Sequence, residues 1–160
     1  MKSHLYQSLI KWTGNKGKGT KSYTSYERSY DIIIENKPTL KGSSDLAFRG
    51  NANLHNPEEL FLASISSCHM LWYLHFCSVN KITVIDYQDK ATAKMEETAE
   101  GKGHFTEATL NPEVVILEKD KIELADSLHQ KANEFCFIAN SCNFPILHQP
   151  IIRIGELDRK

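Results

Sequence analysis

The chain has 160 residues, which is enough for one domain with a substantial core and too few for two ordinary domains. Charged residues make up 24% and hydrophobic residues 41%, as in soluble globular proteins, and the formal net charge of -1 argues against nucleic acid as a partner. Four cysteines are too few for a disulfide scaffold, and in a reducing compartment they favour catalysis, redox sensing, metal binding or burial.

Two further features concern location. No apolar run follows the first residues, Met1 to His4, so we expect no secretory signal and a cytoplasmic protein. No hydrophobic run reaches the length of a membrane span, so we expect no membrane partner.

The N-terminal third predicts strands joined by a glycine-rich turn. Residues 5–13, 22–26 and 30–34 are rich in apolar, tyrosine and β-branched types, and the later segments are expected to form a hairpin back to the first. The glycines of residues 14–19 lack the spacing of a phosphate-binding loop. Residues 38–53 predict a long loop, and loops of this length are often functional.

An apolar stretch from Asn56 to Val79 predicts the central helix. Asn56 can cap its start, and Pro57 suits the first turn because its missing N–H costs nothing there. Apolar and cysteine residues recur at steps of three or four, so they are expected to share one face and to be buried in the fold or against a partner subunit. The predicted face consists of Phe61, Ile65, Cys68, Trp72, His75 and Val79.

The second half predicts an antiparallel hairpin, a second helix and a last strand. Asp120 is expected to cap the second helix. The predicted strands are 82–84, 86–95, 105–117 and 151–154, and the predicted helix is 122–135. This order makes one α+β domain, residues 1–160, with a largely antiparallel sheet.

Cys68 is the first candidate for chemistry. A free cysteine on an apolar helix face is often only a small hydrophobic residue. It becomes a nucleophile when a cation or a hydrogen-bond donor stabilises its thiolate. Arg49 in the preceding loop is a candidate donor, and Glu58 at the helix start could hold its guanidinium in a bidentate pair.

The remaining cysteines and the histidines allow two other interpretations. Cys136 could react with an oxidised Cys68 to form a disulfide, provided that the second helix packs beside the first. The same residue types could bind zinc, but no CxxC or HxxxH spacing occurs, so we expect no metal. The residues considered as zinc ligands are His69, His75, Cys77, His129, Cys136, Cys142 and His148.

The chain resembles the OsmC/Ohr family of thiol-dependent hydroperoxide reductases, and its OsmC-like branch in particular. The resemblance lies in WTGNKGKGT, FRGNANLHNPEEL, SCHMLWYLHFC and CFIANSCNFPI, with Cys68 ten positions after Glu58 and a second cysteine after a short helix. It implies antiparallel sheets wrapped around central helices in an intertwined homodimer, with active sites at the subunit interface. It also implies that Cys68 is the peroxidatic cysteine and Cys136 the resolving one, that Glu58 is the family's glutamate, and that Arg49, or less well Arg28, orients peroxide and thiolate.

Some positions depart from the family pattern. Phe137 stands where proline commonly follows the second cysteine, and Asn133 stands where a histidine often precedes it. Cys142 is an additional thiol that could compete as a partner, and His69 replaces an apolar or aromatic residue. These differences concern substrate and turnover more than the fold.

The resemblance implies an enzyme of oxidative-stress defence that reduces organic hydroperoxides, with an external dithiol as reductant and no cofactor. The apolar helix predicts a preference for alkyl or fatty-acid hydroperoxides. The alternative is a redox-inactive dimer that binds a hydrophobic small molecule and whose thiols are structural. The predicted substrate pocket consists of Phe61, Trp72, His75 and Phe76.

Overall fold

The computed structural model describes residues 2–156 and divides into two compact units, with the boundary between Phe61 and Leu62. The prediction of a single domain over residues 1–160 stays a prediction. Each unit has its own sheet system, and the central helix begins in the first unit and continues through the second.

The first unit contains a three-stranded antiparallel sheet. Its strands are β1 (Leu9–Trp12), β2 (Tyr30–Ile33) and β3 (Leu40–Gly42), in the order β1-β2-β3. The predicted pairing of residues 30–34 with the first strand is confirmed, with Trp12 opposite Tyr30.

Two predictions for this unit are wrong in part. Residues 22–25 form bends and a turn, and Tyr26 makes only an isolated antiparallel bridge with Asn15. The Arg28 guanidinium donates hydrogen bonds to the carbonyl oxygens of Tyr23 and Tyr26, both at 2.8 Å, and so satisfies two groups that a strand would pair with its neighbour. The predicted loop 38–53 contains β3 and a short 3₁₀ helix, Leu46–Phe48.

Helix α1 (Pro57–Val79) has the predicted bounds, and its start is explained by capping. The side-chain oxygen of Asn56 accepts a hydrogen bond from the backbone N–H of Glu59 at 2.7 Å. The Glu59 carboxylate accepts one in return from the backbone N–H of Asn56 at 3.3 Å. This reciprocal arrangement satisfies two N–H groups that a helix start leaves unpaired.

The face of α1 that is buried differs from the predicted one. Of the six residues of the predicted face only Ile65 is buried, and Val79 is 60% exposed. Apolar residues lie around most of the circumference of this helix, so their spacing did not determine which face is turned toward the core. The buried residues are Ile65, His69, Tyr73, Phe76 and Cys77.

The length and composition of α1 also match those of a membrane-spanning helix, contrary to our expectation from the sequence. Core helices of soluble proteins commonly have the same properties. The buried face of α1 packs within the second unit, where Tyr73 and Phe76 belong to the hydrophobic core, as a core helix requires.

The second unit contains two further three-stranded sheets, ordered β4-β7-β9 and β5-β6-β8. In each sheet the first two strands are antiparallel, and the third strand is parallel to the middle one. The strands are β4 (Val84–Asp89), β5 (Thr92–Glu97), β6 (Gly103–Leu110), β7 (Pro112–Ile116), β8 (Ile146–His148) and β9 (Ile151–Ile154).

The predicted strands 86–95 and 105–117 are each divided in two, because the chain passes from one sheet to the other at residues 90–91 and at Asn111. The Asn111 N–H donates to the Asp89 carboxylate at 2.7 Å, and its side-chain amide donates to the carbonyl oxygen of Lys90 at 3.0 Å. These bonds join the two crossing points side by side.

Helix α2 (Ile122–Phe135) has the predicted bounds, but the predicted cap is wrong. Lys121 occupies the capping position without a side-chain hydrogen bond, because Asp120 lies within a short 3₁₀ helix, Lys119–Lys121. The Lys121 ammonium instead donates to the carbonyl oxygens of Asn80 and Lys81, just beyond the end of α1. It therefore complements the negative end of that helix.

The core of the second unit lies between α1, α2 and the sheet β4-β7-β9. Its buried residues are Tyr73, Phe76, Cys77, Ile82, Val114, Ile116, Ala125, Leu128 and Ala132.

Replacing Ile116 by alanine is expected to lower the free energy of unfolding by ~2–5 kcal/mol, because Ile116 is fully buried in this core. Ile151→Ala is the matched control. Ile151 is 49% exposed on the neighbouring strand β9, so its truncation is expected to cost less than ~1.5 kcal/mol. Urea unfolding monitored by circular dichroism measures both values. Equal losses for the two variants would contradict this placement of the core.

Candidate active site

Cys68 and Cys136 meet in the second unit. Cys68 lies on α1 and is partly exposed, whereas Cys136 directly follows the last residue of α2 and is fully buried. The thiols lie within hydrogen-bonding range of each other, and both are reduced. The fold thus brings together two cysteines that are 68 residues apart in the sequence.

The thiol of Cys136 keeps its proton at neutral pH. Burial and the hydrogen bond with Cys68 raise the pKa of the Cys136 thiol. Its sulfur also accepts a hydrogen bond from the backbone N–H of Ala139 at 3.4 Å. A protonated Cys136 can donate its S–H to the sulfur of Cys68, and Cys68 is the more accessible of the two cysteines.

The other two cysteines lie in different surroundings. Cys77 is buried in the core, and burial raises the pKa of its thiol. Cys142 is partly exposed, and its thiol donates to the carbonyl oxygen of Ile138 at 3.2 Å. Burial raises the pKa of Cys142 as well.

The two candidate arginines line a cavity of about 350 Å³ in the first unit. The guanidinium of Arg28 stacks on the rings of Tyr23 and Tyr26, at 4.3 and 4.2 Å from their centroids, and its hydrogen bonds to their carbonyl groups fix it in place. Arg49 follows the short 3₁₀ helix with a left-handed backbone, φ 63°, and its guanidinium lies 5.8 Å from the Tyr23 ring centroid.

Glu58 lies in the first turn of α1. One oxygen of its carboxylate is buried without a hydrogen-bond partner among residues 2–156, and neither Glu58 nor Arg49 takes part in an ion pair there. Burial and the nearby Glu58 charge raise the pKa of Tyr30. The predicted Arg49–Glu58 pair, and the position of both residues relative to the thiols, stay predictions.

The predicted pocket residues have different environments. Trp72 and His75, together with Leu71, line an apolar cavity of about 330 Å³. Phe76 is buried in the core and stacks on Trp72, with 5.6 Å between ring centroids. Phe61 belongs to the first unit, so its role in a common pocket stays a prediction.

Three of the histidines that we considered as zinc ligands come together, and two of them lie on helices α1 and α2. His69 of α1, His129 of α2 and His148 of β8 form a histidine cluster, in which the rings of His69 and His129 meet edge to edge with Nε2 of His69 3.0 Å from Nδ1 of His129. Within residues 2–156, no group of three or more histidine, cysteine or acidic residues is arranged to hold a metal ion. The spacing of these histidines in the sequence gave no sign that they would meet.

The histidine cluster is held neutral by its surroundings. Burial and the neighbouring His148 lower the pKa of His69 to about 4. Burial and the two other rings lower the pKa of His129 to about 3. Burial also lowers the pKa of His148.

Comparison with known proteins gives a family and a fold. Residues 50–148 match the family model described as OsmC-like protein. The fold is similar to that of an OsmC-like protein of unknown function from Vibrio cholerae, at 24% identity and a TM-score of 0.84, over 93% of this chain and 100% of that one. No curated protein matches the sequence.

Two organic hydroperoxide resistance proteins also share the fold. The one from Elizabethkingia anophelis is 20% identical with a TM-score of 0.67, over 97% of this chain and 100% of that one. The one from Legionella pneumophila is 20% identical with a TM-score of 0.65, over 94% and 99% respectively. The predicted α+β OsmC-like fold is therefore confirmed.

In the reduced, folded protein, iodoacetamide is expected to alkylate Cys68 at least ~10-fold faster than Cys136 at pH 7.5, because Cys136 is buried and keeps its proton. Peptide mapping after timed quenching measures both rates. Protein unfolded in guanidinium is the control, in which all four cysteines are expected to react at similar rates. Equal rates in the folded protein would contradict the assigned difference between the thiols.

The buried histidine cluster predicts that acid destabilises the fold. Unfolding frees His69 and His129 to take up protons at their ordinary pKa near 6.5, whereas the folded protein takes them up only near pH 4 or below. The stability present above pH 6.5 is therefore lost as the pH falls toward 4, by at least ~2 kcal/mol.

Urea unfolding at pH 7 and at pH 4.5 measures this loss. His69→Gln is expected to reduce it, whereas His104→Gln, which changes an exposed histidine, is expected to leave it unchanged. The same loss in the wild type and in His69→Gln would contradict a buried neutral His69.

Proposed function

Because this chain belongs to the family of OsmC-like proteins, we propose that it is a thiol-dependent peroxidase that reduces organic hydroperoxides in defence against oxidative stress. The observation that carries the proposal is the contact between a buried, protonated Cys136 and a partly exposed Cys68. That two proteins of this fold are organic hydroperoxide resistance proteins supports the proposed substrate class.

In the first proposed step, the Cys68 thiolate attacks the distal oxygen of the hydroperoxide. The O–O bond breaks, the peroxide leaves as an alcohol after taking up a proton, and Cys68 becomes a sulfenic acid. Cys136 can donate its S–H to the Cys68 sulfur before this step, which stabilises the thiolate without supplying a permanent charge.

In the second step, the Cys136 sulfur attacks the sulfenic sulfur of Cys68. A disulfide forms as the S–O bond breaks, and the sulfenic hydroxyl leaves as water with the proton of Cys136. An external dithiol then reduces the disulfide by thiol exchange, so no metal or organic cofactor is required. The contact between the thiols favours this step because the attacking sulfur is already next to its target.

We assign the charge-stabilising role to Arg49, with Arg28 as the alternative, and the orienting role to Glu58. The hydrogen bonds of Arg28 to two backbone carbonyl groups occupy its guanidinium, whereas the guanidinium of Arg49 makes no hydrogen bond within residues 2–156. The partnerless buried oxygen of Glu58 suits a guanidinium that pairs with it when substrate binds.

An apolar surface favours bulky substrates over hydrogen peroxide. Trp72, His75 and Leu71 line an apolar cavity on α1, and Leu71 is 63% exposed. Burying the hydrocarbon part of an alkyl hydroperoxide there contributes binding energy that hydrogen peroxide cannot provide. We propose Trp72, His75, Phe76 and Phe61 as the residues that shape this site.

We further propose a homodimer in the cytoplasm. Apolar side chains are exposed in both units, on β1 at Leu9 and Ile10 and on the second unit at Val79 and Phe137, and a second copy could cover them. The four free cysteines suit a reducing compartment.

Treatment of the reduced protein with one equivalent of cumene hydroperoxide is expected to remove two hydrogen atoms by forming the Cys68–Cys136 disulfide. Intact-mass spectrometry with peptide mapping measures this change. Cys136→Ser is expected to stop at oxidised forms of Cys68 alone, because its resolving sulfur is missing. Cys142→Ser is the matched control and is expected to form the disulfide as the wild type does.

A wild-type protein that keeps all its thiols under these conditions would contradict the proposal. If it also retained an apolar molecule in native mass spectrometry, it would instead be a binding protein of the alternative kind. Hydrogen peroxide at the same concentration is expected to form the disulfide more slowly, because it lacks hydrocarbon for the apolar surface.

A further inference from the structure

We propose that the hydrogen bond between His69 and His129 positions Cys68 against Cys136. Both histidines are positioning residues, because neither is assigned a contact with the substrate. The significance of this contact for catalysis rests on the proposed function, but its effect on the two thiols can be measured without any peroxide.

The geometry of the helices relates the two contacts. His69 directly follows Cys68 on α1, and His129 precedes Cys136 by seven residues, close to two turns of α2. One helix therefore carries Cys68 and His69, and the other carries His129 on nearly the same face as Cys136. A shift of one helix along or about the other that lengthens the histidine contact must also change the distance between the sulfurs.

The histidine contact is well suited to prevent such a shift. Both residues are only 1% exposed, and their facing nitrogens lie 3.0 Å apart. Nδ1 of His69 and Nε2 of His129 have no hydrogen-bond partner among residues 2–156. Separating the helices would leave two more buried polar atoms without partners, so the structure strongly favours the arrangement in which this bond is made.

Neighbouring rings fix the planes of the two imidazoles. The ring of Tyr73 stacks on His129 with 3.8 Å between centroids, and the ring of His148 stacks on His69 with 5.4 Å. The two rings of the pair are parallel within 8°. The hydrogen bond therefore has a defined direction, which a loosely packed histidine pair would lack.

The state of protonation decides whether the bond can form. A neutral pair has one donor and one acceptor at the facing nitrogens, whereas two protonated rings have donors only and repel each other. The titratable groups that face the pair are His148 of β8 and Tyr73 of α1, with Cys77 and Tyr87 beyond Tyr73. Asp126 of α2 interacts with Tyr73. The charged groups that lower the pKa of His69 and of His129 are other histidines only.

Two substitutions of His129 separate positioning from packing. His129→Leu fills space but cannot bond to Nε2 of His69. His129→Asn places an amide near the position of Nδ1, so it keeps a hydrogen bond to His69 but cannot take up a proton. The leucine variant tests the bond, and the asparagine variant tests its dependence on protonation.

The measurement is the equilibrium between the Cys68–Cys136 disulfide and glutathione. Protein is equilibrated in buffers of reduced and oxidised glutathione, quenched by alkylation and analysed by peptide mapping. At pH 7 the equilibrium constant is expected to fall at least ~10-fold in His129→Leu and to stay within ~3-fold of wild type in His129→Asn, because only the leucine variant loses the bond.

A series from pH 7 to pH 3, with a small selenol added as catalyst so that the exchange still proceeds in acid, provides the second readout. The wild-type constant is expected to fall as the pH approaches 3, where both rings become protonated, whereas His129→Asn is expected to stay level. A merely structural role for His129 would not produce this difference, since both proteins keep the same bond at pH 7.

The proposal would be overturned if His129→Leu unfolds cooperatively, as a folded protein does, and its disulfide has the same equilibrium constant with glutathione as that of the wild type. If that variant fails to fold, the pH series of His129→Asn decides, and a fall equal to that of the wild type would overturn it. The proposed function has a separate criterion. A wild type that forms the disulfide with glutathione but not with cumene hydroperoxide would refute the peroxidase and leave the positioning role intact.

Discussion

The packing of α1 against α2 is the contact on which the second unit depends. Its apolar part includes Tyr73, Phe76, Leu128 and Ala132 in the hydrophobic core. Its polar part consists of a thiol pair, of which only Cys136 is buried, and a buried imidazole pair. Burial of polar groups costs free energy unless they bond to each other, so each pair also specifies how the helices are aligned.

This arrangement assigns different properties to residues of the same type. Cys136 is surrounded by protein and keeps its proton, whereas Cys68, one hydrogen bond away, is partly exposed. His69 and His129 are held neutral, whereas the exposed His104 has no comparable enclosure. Environment rather than residue type therefore decides which group can react.

The sequence predicted those features whose signals are local. The bounds of α1 followed from its capping residue and helical spacing, those of α2 followed from helical spacing, and the NPEEL motif indicated the family. The sequence did not determine which face of α1 is buried, because apolar residues lie on most of its surface. The predicted face differs from the buried one by a rotation of about one residue. The strand β8 was missed because three residues give too short a pattern, and its partner β6 lies far away in the chain.

In the candidate site, too, some residues had a local signal in the sequence and others had none. The motif indicated Cys68 and Cys136, and the structure brings them together through the packing of two helices. The histidine cluster is formed by residues from α1, α2 and β8, and no spacing in the sequence relates them. Contacts between distant segments depend on tertiary packing, which a single sequence does not specify.

The parallel pairing of β8 with β6 and of β9 with β7 has a consequence for synthesis on the ribosome. A hairpin can form as soon as its two strands have emerged, but both of these sheets lack an edge strand until residues 146–154 have been translated. Pairings between remote segments also close slowly, because a long loop must be ordered first. During translation the nascent chain therefore exposes unpaired strand edges, which chaperones are expected to bind until these residues are complete.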